Sequence, residues 1–94
     1  MVKANELIKE QQKREEIKLE TFKKVYKNIE KRIVLASAGN FYYAWYEVPE
    51  FILGLPAYNL KECIEYLKNN LHENQFECET YKPNILLIKW FPKS

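Results

Sequence analysis

The sequence predicts a single α+β domain: a long N-terminal helix and a second helix packed on a small three-stranded sheet that contains a C-terminal β-hairpin. Three observations predict it. Between Asn5 and about Ala38 there is no Gly or Pro, and Lys, Glu, Gln and Leu dominate, all good helix formers. Between Leu60 and Leu71 apolar residues recur at helical spacing. Three short runs, 41–48, 76–81 and 85–91, are rich in aromatic and β-branched residues and are bounded by Gly, Pro and Asn. A chain of 94 residues holds one core and no second. Its 15% aromatic share argues against disorder, because each buried ring removes a large apolar area from water.

The first helix divides into two parts. Leu19, Phe22, Tyr26, Ile29, Ile33 and Ala36 step by three and four and predict one buried stripe, widened by Val25. Upstream, Lys9-Glu-Gln-Gln-Lys-Arg-Glu-Glu16 has no apolar residue. It cannot bury a face, so residues 1–16 are expected to be a charged extension, either solvated helix or frayed chain, and residues 17–92 the domain. Pairs at i,i+4, Glu10 with Arg14 and Glu20 with Lys24, would support the helix, and Gly39-Asn40 would stop it.

Residues 41–48 (Phe-Tyr-Tyr-Ala-Trp-Tyr-Glu-Val) read as a strand ended by Pro49. Pro49 to Gly54 reads as a single helical turn, and Leu55-Pro56-Ala57 as extended chain. Asn59 followed by Glu62 resembles a capping box, with Tyr58 and Cys63 as its hydrophobic staple. The helix so opened, 60–71, has Leu60, Cys63, Ile64, Leu67 and Leu71 on one face. The run 76–81 alternates, with Phe76, Cys78 and Thr80 inward and Glu77 and Glu79 outward. Lys82-Pro-Asn84 connects it to the apolar run 85–91, which suits a more central strand. Helix, strand, helical turn, helix, strand, strand is also the element order of a winged helix.

Charge and inventory exclude several functions. The net charge of +2 divides unevenly: residues 1–33 hold ten Lys/Arg and six Glu, a surplus of four, and residues 34–94 five Lys and seven Glu. Lysine outnumbers arginine thirteen to two, which disfavours base-specific DNA readout by arginine forks. The chain has one histidine, His72, and no Asp, too few ligands for a metal site. Two glycines cannot build a phosphate loop. Cys63 and Cys78 are too few for a disulfide scaffold and read as buried thiols of a reducing compartment. No apolar run approaches the roughly 20 residues of a membrane span, and the N-terminus lacks the pattern of a secretory signal. No catalytic residue, cofactor, metal or small-molecule substrate is expected.

Two clusters remain as binding candidates. Lys23, Lys24, Lys27, Lys31 and Arg32 on the outer face of the first helix could meet a nucleic-acid backbone or an acidic partner. In Tyr42, Tyr43, Trp45 and Tyr46 both strand parities are aromatic. The helices can cover only one face, so some of these rings are expected to be exposed as a protein interface.

The stretches Ile17-Lys-Leu-Glu-Thr-Phe-Lys-Lys-Val-Tyr26, Tyr46 to Tyr66 and Pro83 to Trp90 resemble a family of short uncharacterised proteins of nucleocytoplasmic large DNA viruses of algae and amoebae. The most specific part is Glu47-Val-Pro-Glu-Phe-Ile-Leu-Gly-Leu-Pro-Ala-Tyr-Asn59. The resemblance spans about 17–91, leaves the first sixteen residues outside as a variable extension, and carries over no catalytic residue. It implies a viral origin, in the host cytoplasm, the viral factory or the virion, without secretion. Absent chemistry, surplus aromatics and an uncovered helix together give the expected function. That function is a non-enzymatic structural or adaptor protein, a minor capsid or virion component contacting other viral proteins or itself. The alternative is a small, sequence-nonspecific nucleic-acid-binding protein, winged-helix-like or using the basic helix.

Overall fold

The computed structural model describes residues 2–54 and 57–92. Its order is α1 (Ala4–Ala38), β1 (Tyr43–Glu47), α2 (Leu60–Glu73), β2 (Glu77–Tyr81) and β3 (Ile85–Lys89). The strands form one antiparallel sheet in the order β1-β3-β2. The most apolar strand is thus the central one, as its run of Ile and Leu requires. Both helices cover one face. Phe22, Val25 and Ile29 of α1 and Cys63, Ile64, Leu67 and Leu71 of α2 close over Val48, Leu86 and Ile88 in a single core.

The buried stripe of α1 is rotated from the expected one. Thr21 is buried and Leu19 is 43% exposed. At about 100° per residue, Leu19 lies about 100° around the helix from the centre of the Phe22–Val25–Ile29 stripe. The residue that continues the stripe is Lys18. Its Nζ lies 2.8 Å from a Glu62 carboxylate oxygen on α2 and 3.1 Å from Glu15. The core therefore stops where a charge meets the stripe. Every residue from Val2 to Ile17 is exposed, and at about 1.5 Å per residue positions 4–17 extend α1 by roughly 20 Å past its packed half. Of the two i,i+4 pairs, Glu10 and Arg14 approach to 3.9 Å, whereas Glu20 and Lys24 are not paired.

Both helices end in the same way, and neither uses glycine in the left-handed position. After α1, Asn40 has φ 66°, Phe41 N–H donates to Ala36 C=O at 3.0 Å and Asn40 N–H to Ser37 C=O at 3.0 Å. After α2, Gln75 has φ 69°, Phe76 N–H donates to Leu71 C=O at 2.9 Å and Gln75 N–H to His72 C=O at 3.0 Å. Each is a Schellman motif. The expected stop at Gly39-Asn40 is observed, with Gly39 at φ −86° and Asn40 as the left-handed residue. A Cβ on Gly39 would meet the Phe41 ring at 3.3 Å.

Other expectations are corrected. Pro49 to Gly54 forms no helix and ends in a turn with Gly54 at φ 85°, so the extra helical turn of the winged-helix order is missing. The extended segment expected at Leu55-Pro56 lies outside the described residues. Asn59 caps α2, its Oδ1 accepting from Glu62 N–H at 3.1 Å. The reciprocal half of the box is absent because the Glu62 carboxylate takes Lys18 instead. Helix α2 runs two residues further than expected, and the strands are five residues each. Thr80 has the inward parity but is exposed. Tyr58, just before α2, donates its hydroxyl to Pro49 C=O.

Two polar ties fix the frame. Asn84, 5% exposed, donates from its side chain to Val48 C=O and accepts from Val48 N–H at 2.8 Å, pinning the end of β1 to the β2–β3 turn. Asn74 Nδ2 donates to the Tyr26 hydroxyl at 3.2 Å, joining the end of α2 to α1. Cys63 and Cys78 are free thiols, and burial pushes that of Cys63 up to about 12.

Candidate functional site

The face of the sheet away from the helices is assembled row by row by the register. Lys89 stands between Tyr43 and Glu77, Leu87 between Trp45 and Glu79, and Ile85 between Glu47 and Tyr81. Alternation sends Ala44, Tyr46 and Val48 to the core side and Tyr43, Trp45 and Glu47 outward. No helix lies over this second face. Trp45 is 49% exposed and Tyr81 46%. The two rings nonetheless meet diagonally across β3, with centroids 5.6 Å apart, and shelter Leu87. Phe41 stands edge-on to Tyr43 at 5.8 Å, continuing the aromatic surface towards the end of α1.

A charged row borders these rings. Lys89 Nζ donates to Glu79 at 2.8 Å and the Tyr81 hydroxyl donates to the other carboxylate oxygen at 2.9 Å. Lys89, and after it Tyr81, hold the Glu79 carboxyl below its ordinary value, and Glu79 in turn raises Lys89 and Tyr81. The Glu79 carboxylate thus orients the Tyr81 ring that reaches Trp45. An apolar, aromatic floor with a fixed polar rim is the make-up of protein interfaces.

The four aromatic residues singled out in the sequence do not act together. Tyr43 and Trp45 belong to the open face. Tyr46 is half-buried against the core, where burial raises its hydroxyl. Tyr42 precedes the strand with core-side parity, accepts at its carbonyl from Trp90 N–H at 2.9 Å, and keeps an exposed ring. The face instead recruits Phe41 and Tyr81. The signal for Tyr81 was present in the alternation that sends Glu77 and Glu79 outward, since Tyr81 has the same parity.

The basic residues also separate. Lys23, Lys27 and Lys31 recur every four residues and, with Lys24 beside them, form an exposed stripe opposite the buried side of α1. Arg32 lies about 100° further round, on the flank nearest β1. There it lines, with Leu35 and Ala36, a groove of about 610 Å³ whose other wall is Phe41, Tyr43 and Trp45. Exposed Val34 and Leu35 extend the apolar surface along the same end of α1.

Among the described residues no group of three or more His, Cys or Glu is placed to hold a metal ion, and no helix is long and apolar enough to cross a membrane. His72 is exposed at the end of α2. The Cys63 thiol, raised by burial, stays protonated and is no nucleophile at neutral pH.

No solved structure matches the chain. An uncharacterised protein of Acanthamoeba polyphaga mimivirus is 32% identical over 81 residues, which is 82% of this chain and 66% of that protein. The chain thus spans just under two thirds of its relative's length. The family of unknown function DUF5759 matches residues 2–72. That match takes in the charged lead-in, which the expected resemblance left outside, and ends before β2 and β3. With a giant-virus relative and most of its length matched, the chain belongs to the DUF5759 family of unknown function.

Proposed function

We propose that the protein is a non-enzymatic structural or adaptor protein of a large DNA virus, a minor component of the virion, and that it works through protein–protein contacts made by the open face of its sheet. One observation carries this reading. Phe41 with Tyr43 and Trp45 with Tyr81 form two exposed ring pairs on one side of the sheet, and large exposed apolar patches on small domains mark interaction sites. Crosslinking of infected host cells and purified virions tests it, because Lys89 places an amine on that face. The expected product joins Lys89 to another viral protein. A chain that is absent from virions and gives no crosslink from this face contradicts the reading.

A second reading has its own observation. Lys23, Lys24, Lys27 and Lys31 share one exposed stripe with no ion-pair partner among the described residues, a geometry suited to a nucleic-acid backbone. Four phosphate contacts would make affinity fall by roughly a hundredfold between 50 and 200 mM salt. Replacing the four lysines by Glu would abolish binding. Absence of any mobility shift with single- or double-stranded DNA at low salt removes this reading.

A further inference from the structure

We propose that the free edge of β1 is a docking groove for an extended, acidic segment of a partner protein, which adds to the sheet as a fourth strand beside α1. The inference rests on the adaptor reading and names the mode of contact.

The backbone hydrogen bonds fix the geometry. Val48 N–H donates to Asn84 C=O and Trp90 N–H to Tyr42 C=O, so the even-numbered residues of this stretch exchange main-chain bonds with β3. In an antiparallel pair the intervening residues turn their N–H and C=O groups the other way. For Tyr43, Trp45 and Glu47 that is the outer edge of the sheet, because β1 has no neighbour there. None of their main-chain groups bonds to a side chain or loop among the described residues. Natural edges are usually blunted with Lys, Pro or a bulge. The strand Tyr43-Ala-Trp-Tyr-Glu47 has none of these. It presents a row of unpaired donors and acceptors beside the groove walled by Arg32 and Leu35.

The surroundings select the occupant. Of the three strands, α1 lies nearest β1. A second copy pairing β1 with β1 would bring its own α1 along. Adjacent strands sit about 4.8 Å apart, whereas packed helices need about 8 to 10 Å, so the two helices would collide. A lone extended segment brings no helix. Its side chains would alternate, one set beside Tyr43 and Trp45 on the open face and the other towards Arg32 and Leu35. The first set is therefore apolar. The second is acidic, because Arg32 has no ion-pair partner among the described residues, and Lys31 adds positive charge beside it. Main-chain bonds along the edge supply affinity and alternate side chains the selectivity, as in other strand-addition sites.

The test uses the full chain, labelled with nitrogen-15, and a capped peptide of three Val-Glu repeats. On titration the amides of Tyr43, Trp45 and Glu47 should shift, and their hydrogen exchange should slow by at least about tenfold as they enter a ladder. The matching Val-Lys peptide should not bind. Arg32→Glu, a change at an exposed position, should weaken the Val-Glu peptide by about tenfold or more while leaving the spectrum otherwise folded. Three results overturn the proposal: no shift up to about 1 mM peptide, equal binding of the lysine peptide, or binding that leaves those three amides exchanging freely. In the last case a partner captured by Trp45 and Tyr81 would leave the adaptor reading standing while this mode of contact fails.

Discussion

The two faces of the sheet are built from the same three strands, yet they are of opposite kinds. On the helical side Val48, Leu86 and Ile88 are fully buried and fitted against two helices. On the other side Trp45 meets Tyr81 and Tyr43 meets Phe41, and all four rings stay partly exposed. The contrast separates the face that carries stability from the face proposed for recognition. The two helices close one face, and the rings on the second face stay partly exposed. Large aromatic residues facing water are costly for solubility, which is what the proposed interface would offset.

Substitution on the two faces should separate these roles. Leu67→Ala or Ile88→Ala on the buried side should cost about 2 to 5 kcal/mol, a large part of the stability of a domain this size, and denaturant titration would show it. A loss comparable to that of an exposed position would mean the core has been misplaced. Asn84→Ala strands the Val48 carbonyl behind buried side chains and should cost about 1 to 3 kcal/mol, read as a shift in the denaturant midpoint. Gln75→Gly should act in the opposite sense. Relieving a left-handed non-glycine residue should stabilise by about 1 kcal/mol, raising the melting temperature by several degrees.

The dependence on pH, confined to alkaline conditions, also reports on the buried side. The Cys63 thiol is raised from its ordinary 9.0 to about 12 in the folded chain. The folded state therefore holds its proton where the unfolded state has released it. That contribution is complete below pH 9 and fades as pH rises towards 12. Tyr58, raised by burial from 10.0 to about 12, acts in the same direction from about pH 10. Stability measured by denaturant titration should fall across this window, and less steeply in Cys63→Ala.

Much of this frame was legible in the sequence. Helix α2 carries its own cap, Asn59, and a strict apolar face, and the β2–β3 hairpin carries alternation and a turn. Local patterns were enough for both. What escaped depended on how elements meet. Leu19 and Thr21 exchanged roles because the rotation of α1 follows from Phe22, Val25 and Ile29 packing against the sheet and α2, a contact between elements that the helix alone does not record. Thr80 is exposed despite its inward parity, because alternation within one strand fixes the side a residue faces and not whether another element covers it. In β1 both parities are aromatic, so periodicity could not say which rings face out; pairing with β3 decides that Tyr46 turns inward and Trp45 outward. Arg32 left the lysine stripe for the groove because it lies a further 100° or so round the helix from Lys31. The turn at 49–54 failed as a helix despite its Pro and Gly, which mark chain reversal as readily as helix ends.

The most direct measurement removes the open face and keeps the core. In a triple variant Tyr43→Thr, Trp45→Thr and Tyr81→Thr, strand-forming residues replace the rings, so the melting temperature should fall by no more than about 8 °C. The crosslink from Lys89 to another viral protein should disappear. A variant that keeps that crosslink, or that unfolds as completely as a core truncation, would contradict the account.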